Sequence, residues 1–428
     1  MPDLPESSPP DSRTLIRFLV QLGAALVLSG EAVDQVHGEL LAVARRCGHP
    51  DVSIVVLPTV LMIQADGAAD SRIQLHSVAS SRSLRLDQVS AVYELVRRAT
   101  AGELDPADGL VELERIRTAP APYGPVIRTI GLGVLSAGFA LALQPTPMGV
   151  AGAFVLGMLV GLVLLARIPG LAPVLPVVVS FAVAAIVFVV AHHYSGDNPI
   201  RSLIPPLVVF LPGAAITTGT MELAAGQTIS GASRLVEGLV DLMLLSFGIV
   251  AAAALVGAPT SDLLDRPVDR LGPWTVPLSL LAIALGNHLH HCAPRRAVPW
   301  ILLVLAAALG GQAAGAALFS PELSAFFGAL AMTPLVLLIG RHPKGPPTMV
   351  LFLPAFWLLV PGAAGLIGVT AIVGTDSRLG PADFTDTMVT VLAIALGVLL
   401  GTAAVRAAGQ VRTRTLSGLA SVGWIRED

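Results

Sequence analysis

Charge is what this 428-residue chain has least of: 13% of its residues are Asp, Glu, Lys or Arg, while 54% are hydrophobic. Water-soluble domains carry about 25% charged residues, so a chain built only of such domains is excluded. Lysine is rarer still, since Lys344 is the single lysine among 26 basic residues. With a net charge of −3 and no long basic stripe, little is present to neutralise phosphates, which excludes a nucleic-acid partner. The arginine preference, with abundant Ala, Gly and Pro, reads as a high-GC coding bias. Two cysteines, Cys47 and Cys292, are too few for a disulfide framework. The first eleven residues are polar and Pro/Ser-rich, without the charged-then-apolar pattern of a signal peptide, so the N-terminus is expected in the cytoplasm. Neither a Walker loop nor a dinucleotide fingerprint occurs, which argues against ATP-driven transport by this chain alone. No cofactor is expected.

What is present divides sharply. Residues 13–120 hold charges at ordinary density and read as a cytoplasmic α/β domain behind a disordered stretch, 1–12. Apolar residues at helical spacing (Leu15, Phe18, Leu19, Leu22, Leu26) predict a first helix ending near Ser29-Gly30. A second helix is predicted over Ala32–Cys47. Strands follow at Val52–Leu57, Val60–Gln64 and Arg72–Ala79, then helices at Leu86–Thr100 and Pro106–Arg117. A Pro-containing linker, Thr118–Pro122, leads into long apolar runs. A run of about 20 apolar residues can cross a bilayer core. Ten such segments are predicted, five in a module at 125–256 and five in a module at 274–408, with a linker at 257–273 and a cytoplasmic tail at 409–428. If the N-terminus is cytoplasmic, the inside loops carry Arg167, Arg234, Arg295, Arg296, Arg341 and Lys344, while the outside loops carry Arg201, Arg266, Arg270 and Arg378. That asymmetry agrees with both termini inside.

A local pattern recurs. Pro205, Pro212, Gly213, Ala214, Ala215 and Gly219 are followed by Pro354, Pro361, Gly362, Ala363, Ala364 and Gly368, at one constant offset (354 − 205 = 149). Each copy falls in the fourth span of its module. Five spans is an odd number, so the two modules enter the membrane from opposite sides, as in inverted-repeat transporters. Coincidence in an Ala/Gly/Pro-rich chain is the competing explanation.

Proline then glycine at membrane depth removes a backbone donor and weakens the helix, and the freed backbone groups can bind substrate or ions. The candidate backbone sites are Pro212-Gly213 and Pro361-Gly362. The first is followed by Thr217, Thr218, Glu222 and Ser230, the second by apolar Leu366, Ile367, Val369 and Ala371. The polar half is the better substrate site, unless residues 217–230 are simply a polar loop. Arg234, Glu237 and Asp241 share one face of the fifth span. Arg234 can pair with Glu237, leaving Asp241 a turn deeper among apolar neighbours, where a carboxyl suits proton coupling. The alternative is a structural salt bridge with a snorkelling arginine. His288, His290 and His291, with Asn287 and Cys292, lack an accompanying carboxylate or thiolate set and read as interfacial residues, as do His192 and His193. No metal is expected.

These residues resemble a known family. Leu22 through Glu31, with Leu57-Pro58-Thr59, resembles the N-terminal domain of the bacterial threonine/serine exporter family. Leu211-Pro212-Gly213 through Glu222-Leu223, Gly226, Ser230-Gly231 and Arg234-Leu235 resembles that family's most recognisable membrane segment. Pro343–Pro347 followed by Val360-Pro361-Gly362 is similar to its second half. The resemblance covers about residues 14–408. It implies export of threonine and serine driven by the proton motive force; split relatives are associated with succinate. Glu222 stands where many relatives have aspartate, which keeps the charge, and Gln35 stands where an arginine is common.

The expectation is therefore a mostly α membrane protein: ten transmembrane helices as two inverted five-helix repeats, plus an N-terminal cytoplasmic α/β domain. It would act in a bacterial inner membrane as a proton-driven exporter of threonine or serine. Pro212, Gly213, Thr217, Thr218, Glu222, Ser230, Pro361 and Gly362 would form the substrate site, and Asp241, Glu237 and Arg234 the proton-coupling group. The expected partners are a small-molecule substrate, protons and the lipid bilayer, with oligomers allowed. The alternatives are a dicarboxylate exporter, or a membrane-anchored enzyme or sensor using Glu31, Asp34, His37 and Glu39.

Overall fold

The computed structural model describes residues 12–65, 73–78, 83–143, 146–166, 170–193, 198–263, 271–320, 323–342, 344–359, 366, 370 and 389–408. Its N-terminal unit runs α1 (Ser12–Leu28), α2 (Val33–Arg46), β1 (Val52–Val56), β2 (Val60–Ala65), β3 (Ile73–Ser77), α3 (Leu86–Ala101) and α4 (Pro106–Thr118). Local chemistry sets these limits. Gly48, at φ +83°, ends α2 with its N–H bonded to the Arg45 carbonyl and the His49 N–H bonded back to Ala44; Gly102 repeats the arrangement after α3. Asp105 caps α4 by accepting the Ala107 N–H at 2.8 Å, and Pro106 occupies the first helical position, where no donor is needed. The sheet is an antiparallel meander in the order β1-β2-β3, with Val56 opposite Leu61 across the Pro58-Thr59 turn. β1 alternates, burying Val52, Ile54 and Val56. The helices cover that face, and Leu15, Phe18, Leu19, Leu22, Val36, Leu40 and Leu61 form a core of their own.

The remaining described helices are α5 (Pro125–Leu143), α6 (Pro147–Ala166), α7 (Leu175–His193), α8 (Pro199–Leu207), α9 (Gly213–Ala224), α10 (Thr228–Val256), α11 (Thr275–His290), α12 (Val298–Leu318), α13 (Ser324–Gly340), α14 (Thr348–Leu359) and α15 (Val389–Ala408). Among the described residues, six helical segments are long and apolar enough to cross a membrane, or seven if the bent pair α8/α9 is one span. Outward faces such as Val155, Leu159 and Leu162 on α6 are apolar and exposed, as lipid contact requires. The predicted number was ten. The other three predicted spans correspond to α11, α13 and α14, of which 16, 17 and 12 residues are described; residues 321–322 and 360–365 beside α13 and α14 lie outside the described residues.

Close helix packing rests on small residues, which let backbones approach. α5 and α11 cross antiparallel, with Gly131 against Leu289 and His290, Gly138 against Ile283, and Gly286 against Leu135. On α10, a methyl built at Gly248 would fall 2.6 Å from the Val177 carbonyl and 3.0 Å from the Phe181 nitrogen of α7, and would touch Ser180. On α15, one built at Gly397 would fall 2.5 Å from the Phe326 carbonyl, 2.8 Å from Ala329 and 3.1 Å from the Leu330 nitrogen of α13. Each residue of the second set follows its counterpart by the repeat offset (397 − 248 = 149). Pro361 and Gly362 lie outside the described residues.

Candidate functional site

The site is built around a break. Within α8, Pro205 and Pro206 supply no N–H, and the helix passes through a 3-10 turn at Val208–Phe210 before Leu211 turns extended. After Pro212 the chain restarts as α9, bent 66° from α8. The Pro212 carbonyl takes the Ile216 N–H, so the first-turn N–H groups of α9 open onto the break. Residues 213–224 and 228–256 are helical, with a turn between them at 225–227, so Thr217 through Glu222 lie on a helix. Thr217, Thr218 and Glu222 are on the buried face. The Thr217 hydroxyl is enclosed without a hydrogen-bond partner.

Glycines fold α9 back onto α10. Gly226, at φ +84°, ends α9 with bonds to the Leu223 carbonyl and, through Gln227, to Glu222. A methyl on Gly231 would stand 2.5 Å from the Gly219 carbonyl, and Gly238 lies against Ile216. This hairpin brings Ser230 and Arg234 to Glu222. Glu222 is 1% exposed. Its Oε2 accepts the Ser230 hydroxyl at 2.6 Å and stands 3.2 Å from Arg234 Nε, an ion pair that is not aligned as a hydrogen bond. Its Oε1 accepts the Val33 N–H at 3.0 Å.

That last bond joins the two parts of the chain. Val33 opens α2, whose N-cap residue, Ala32, has no side chain that can cap it. The Glu222 carboxylate, 189 residues away, takes that role, and a negative charge is favoured at a helix N-terminus. Arg234 completes the contact by donating from Nη2 to the Glu31 carbonyl at 3.1 Å. The Glu31 side chain is itself buried. Burial pushes its carboxyl up to about 7; the Ala32 N–H pulls it down, Asp34 and Glu39 raise it further, and Arg234 opposes them.

The sequence-predicted residues are thus partly gathered. Thr217, Thr218, Glu222, Ser230 and Arg234 share the α9/α10 hairpin. Arg234 turns to Glu222 instead of Glu237, which is exposed, and Asp241 is half-buried two turns further along α10. Pro361-Gly362, outside the described residues, cannot be set beside them. Two residues were missed. Thr370 donates to the Ser246 hydroxyl at 3.2 Å, both groups fully enclosed, in a stretch read as apolar. Glu31 was read only as part of a helix-face cluster, yet Asp34 is exposed while Glu31 faces the hairpin.

A second link between the two parts is the Leu86 N–H, at the start of α3, donating to the His291 carbonyl at 3.0 Å, beside a group of histidines. His288 Nε2 meets the Tyr123 hydroxyl at 2.8 Å and its Nδ1 meets the Ala293 carbonyl at 2.6 Å; His290 Nδ1 meets the Arg128 carbonyl at 2.8 Å. His288 and Tyr123 border a crevice of about 530 Å³ that Asp87, Glu94, Arg295 and Arg296 also line. Among the described residues no three His, Cys, Asp or Glu side chains come together as a metal-holding group.

The family model described as "Putative threonine/serine exporter" matches residues 17–256, from α1 to the end of α10. Among curated proteins, the pheromone-regulated membrane protein 10 of Debaryomyces hansenii is 24% identical over 393 residues, covering 87% of this chain and 38% of its own length. The Candida albicans (strain SC5314) protein of that name is 24% identical over 391 residues, covering 86% and 34%. That of Eremothecium gossypii is 23% identical over 435 residues, covering 93% and 57%. The chain spans little more than a third of the length of the first of these relatives. No solved structure matches.

Proposed function

The chain belongs to the threonine/serine exporter family, and on that footing we propose that it is a secondary transporter exporting threonine, serine or a similar small zwitterion against a flow of protons. The observation that carries this is the span broken at Leu211-Pro212-Gly213, whose second half buries Thr217, Thr218 and Glu222. A helix restarting at membrane depth offers backbone N–H groups and a positive dipole end to a substrate carboxylate. The enclosed, unpartnered Thr217 hydroxyl is ready to bond a substrate hydroxyl or carboxylate. Thr218 lines the same face, Ser230 and Glu222 bound its lower end, and Pro361-Gly362 would supply the second break. Asp241, with Glu237 and Arg234 on the same helix, would pass the proton.

Ten spans in two inverted modules remain part of this proposal. The antiparallel α5/α11 crossing and the glycine contacts repeated 149 residues apart support it, because the contact positions recur although the residues facing each glycine differ. On this reading the protein lies in the inner membrane of a bacterium with both termini in the cytoplasm, as the loop arginines favour. A dicarboxylate cargo fits less well, since Arg234 is already committed to Glu222 and the Glu31 carbonyl.

The test is efflux from cells with and without the protein, preloaded with threonine, serine or succinate. Faster loss of threonine and serine with unchanged succinate is expected. Equal retention of both amino acids would end the reading.

A further inference from the structure

We propose that Glu31, on the N-terminal unit, is a proton-carrying residue of the export cycle, so that this unit is part of the transport machinery. The inference rests on the proton-driven reading above and goes beyond it in adding a second proton site from outside the membrane helices.

The argument begins with a charge count. Where α2 meets the α9/α10 hairpin, two carboxylates, Glu222 and Glu31, are both more than nine-tenths buried, and the one guanidinium near them, Arg234, is ion-paired to Glu222. Glu222 accepts hydrogen bonds from the Ser230 hydroxyl and the Val33 N–H and is ion-paired with Arg234. Glu31 is met at its carboxyl by the Ala32 N–H, while Arg234 reaches its backbone carbonyl instead. The remaining charges facing it are Asp34 and Glu39 on α2, and both are negative. α14, which touches Gly30 through Met349, is uncharged, as are the last three turns of α1. A buried second carboxylate with this company needs one more positive charge.

A proton is the simplest candidate. Burial holds the Glu31 carboxyl near 7, where its occupancy changes over physiological pH. The other candidate is the ammonium group of a zwitterion. Proton and ammonium then compete for one place: Glu31 releases its proton to water on the side of the N-terminal unit, becomes a carboxylate, and pairs with the ammonium group of the substrate. The step balances as a carboxylic acid giving a carboxylate and a proton; the zwitterion that follows is neutral overall, and its own carboxylate is left for the open N–H groups of α9. Such exclusive occupancy is what antiport requires.

The experiment uses the purified full-length chain in liposomes, with threonine binding and threonine flux read separately. In the wild type, apparent threonine affinity should fall about tenfold for each pH unit below 7, as protons compete. Glu31→Gln should flatten that dependence and reduce gradient-driven flux to the rate without a gradient, while threonine-for-threonine exchange persists. Glu31→Asp should keep the dependence with a displaced midpoint, which also serves if the Gln variant fails to insert. A Glu31→Gln protein with the wild-type pH dependence, or a Glu31→Asp protein with an unmoved midpoint, overturns the inference. Wild-type flux that ignores the gradient would instead defeat the proton-driven reading on which it rests.

Discussion

At Glu222, donors from α2 and from two positions on α10 converge on one carboxylate, and removing it leaves them facing an apolar interior. Breaking a buried pair by deleting one partner costs about 3–5 kcal/mol. Glu222→Ala is therefore expected to lower the melting temperature in detergent strongly, and a melt like the wild type's would show the cluster to be slack. Thr217 makes the opposite case. Its hydroxyl is buried without a partner, so Thr217→Val should leave stability unchanged or raised, because an unsatisfied polar group is removed. If the hydroxyl meets substrate, the same variant should weaken threonine affinity by about tenfold, the value of one hydrogen bond of ~1.4 kcal/mol. A melt that falls together with affinity would give Thr217 a packing role only. Asp241→Asn should abolish pH-gradient-driven efflux with insertion intact. The residue types of this site were legible in sequence, but the pairings were not. Helical spacing places Arg234 beside Glu237, whereas its ion pair is with Glu222 across a turn, and nothing in periodicity joins Glu222 to Val33.

The break between α8 and α9 was readable because proline lacks a donor wherever it occurs. Whether residues 213–224 were helix or loop was not, since a short polar segment fits either; the packing of Gly219 on Gly231 decides it. Gly231→Val should destabilise the protein by about 1–3 kcal/mol or more, because the added atoms meet the Gly219 carbonyl and the Leu223 backbone nitrogen as well as the Leu223 side chain. Gly310, with nothing within 4 Å, is the control, and Gly310→Ala should be neutral or stabilising. Thermal unfolding of both variants in detergent checks the pair; equal losses would deny the hairpin its close approach. Contact between α2 and this hairpin should depend on pH. Glu31 is raised from an ordinary value of 4.5 to about 7, so docking is most favourable below about 4.5 and weakens progressively as pH rises to about 7. Proteolysis within residues 119–124 should accordingly quicken from pH 5 to pH 8 in the wild type and change less in Glu31→Gln. Hydropathy marks ten apolar stretches; α11, α13 and α14, with 16, 17 and 12 described residues, are the three beyond the six or seven helical segments of spanning length among the described residues.

Across the whole molecule, an N-terminal α/β unit with its own core is tied by Glu222 and Arg234 to the α9/α10 hairpin that follows the bent α8/α9 pair. The family model ends with α10, while the fungal relatives align through both halves of the chain. The offset of 149 was visible in proline and glycine, and the α7/α10 and α13/α15 contacts show the same offset in packing, where sequence identity has faded. The central claim is proton-driven export of a small zwitterion. Its most direct measurement is flux by the purified protein in liposomes, with threonine inside, an imposed pH gradient, and a pH-sensitive dye reporting protons. The account predicts that threonine leaves as protons enter, with both flows lost in Asp241→Asn. Threonine efflux that proceeds at the same rate with the gradient collapsed, and without proton movement, would contradict it.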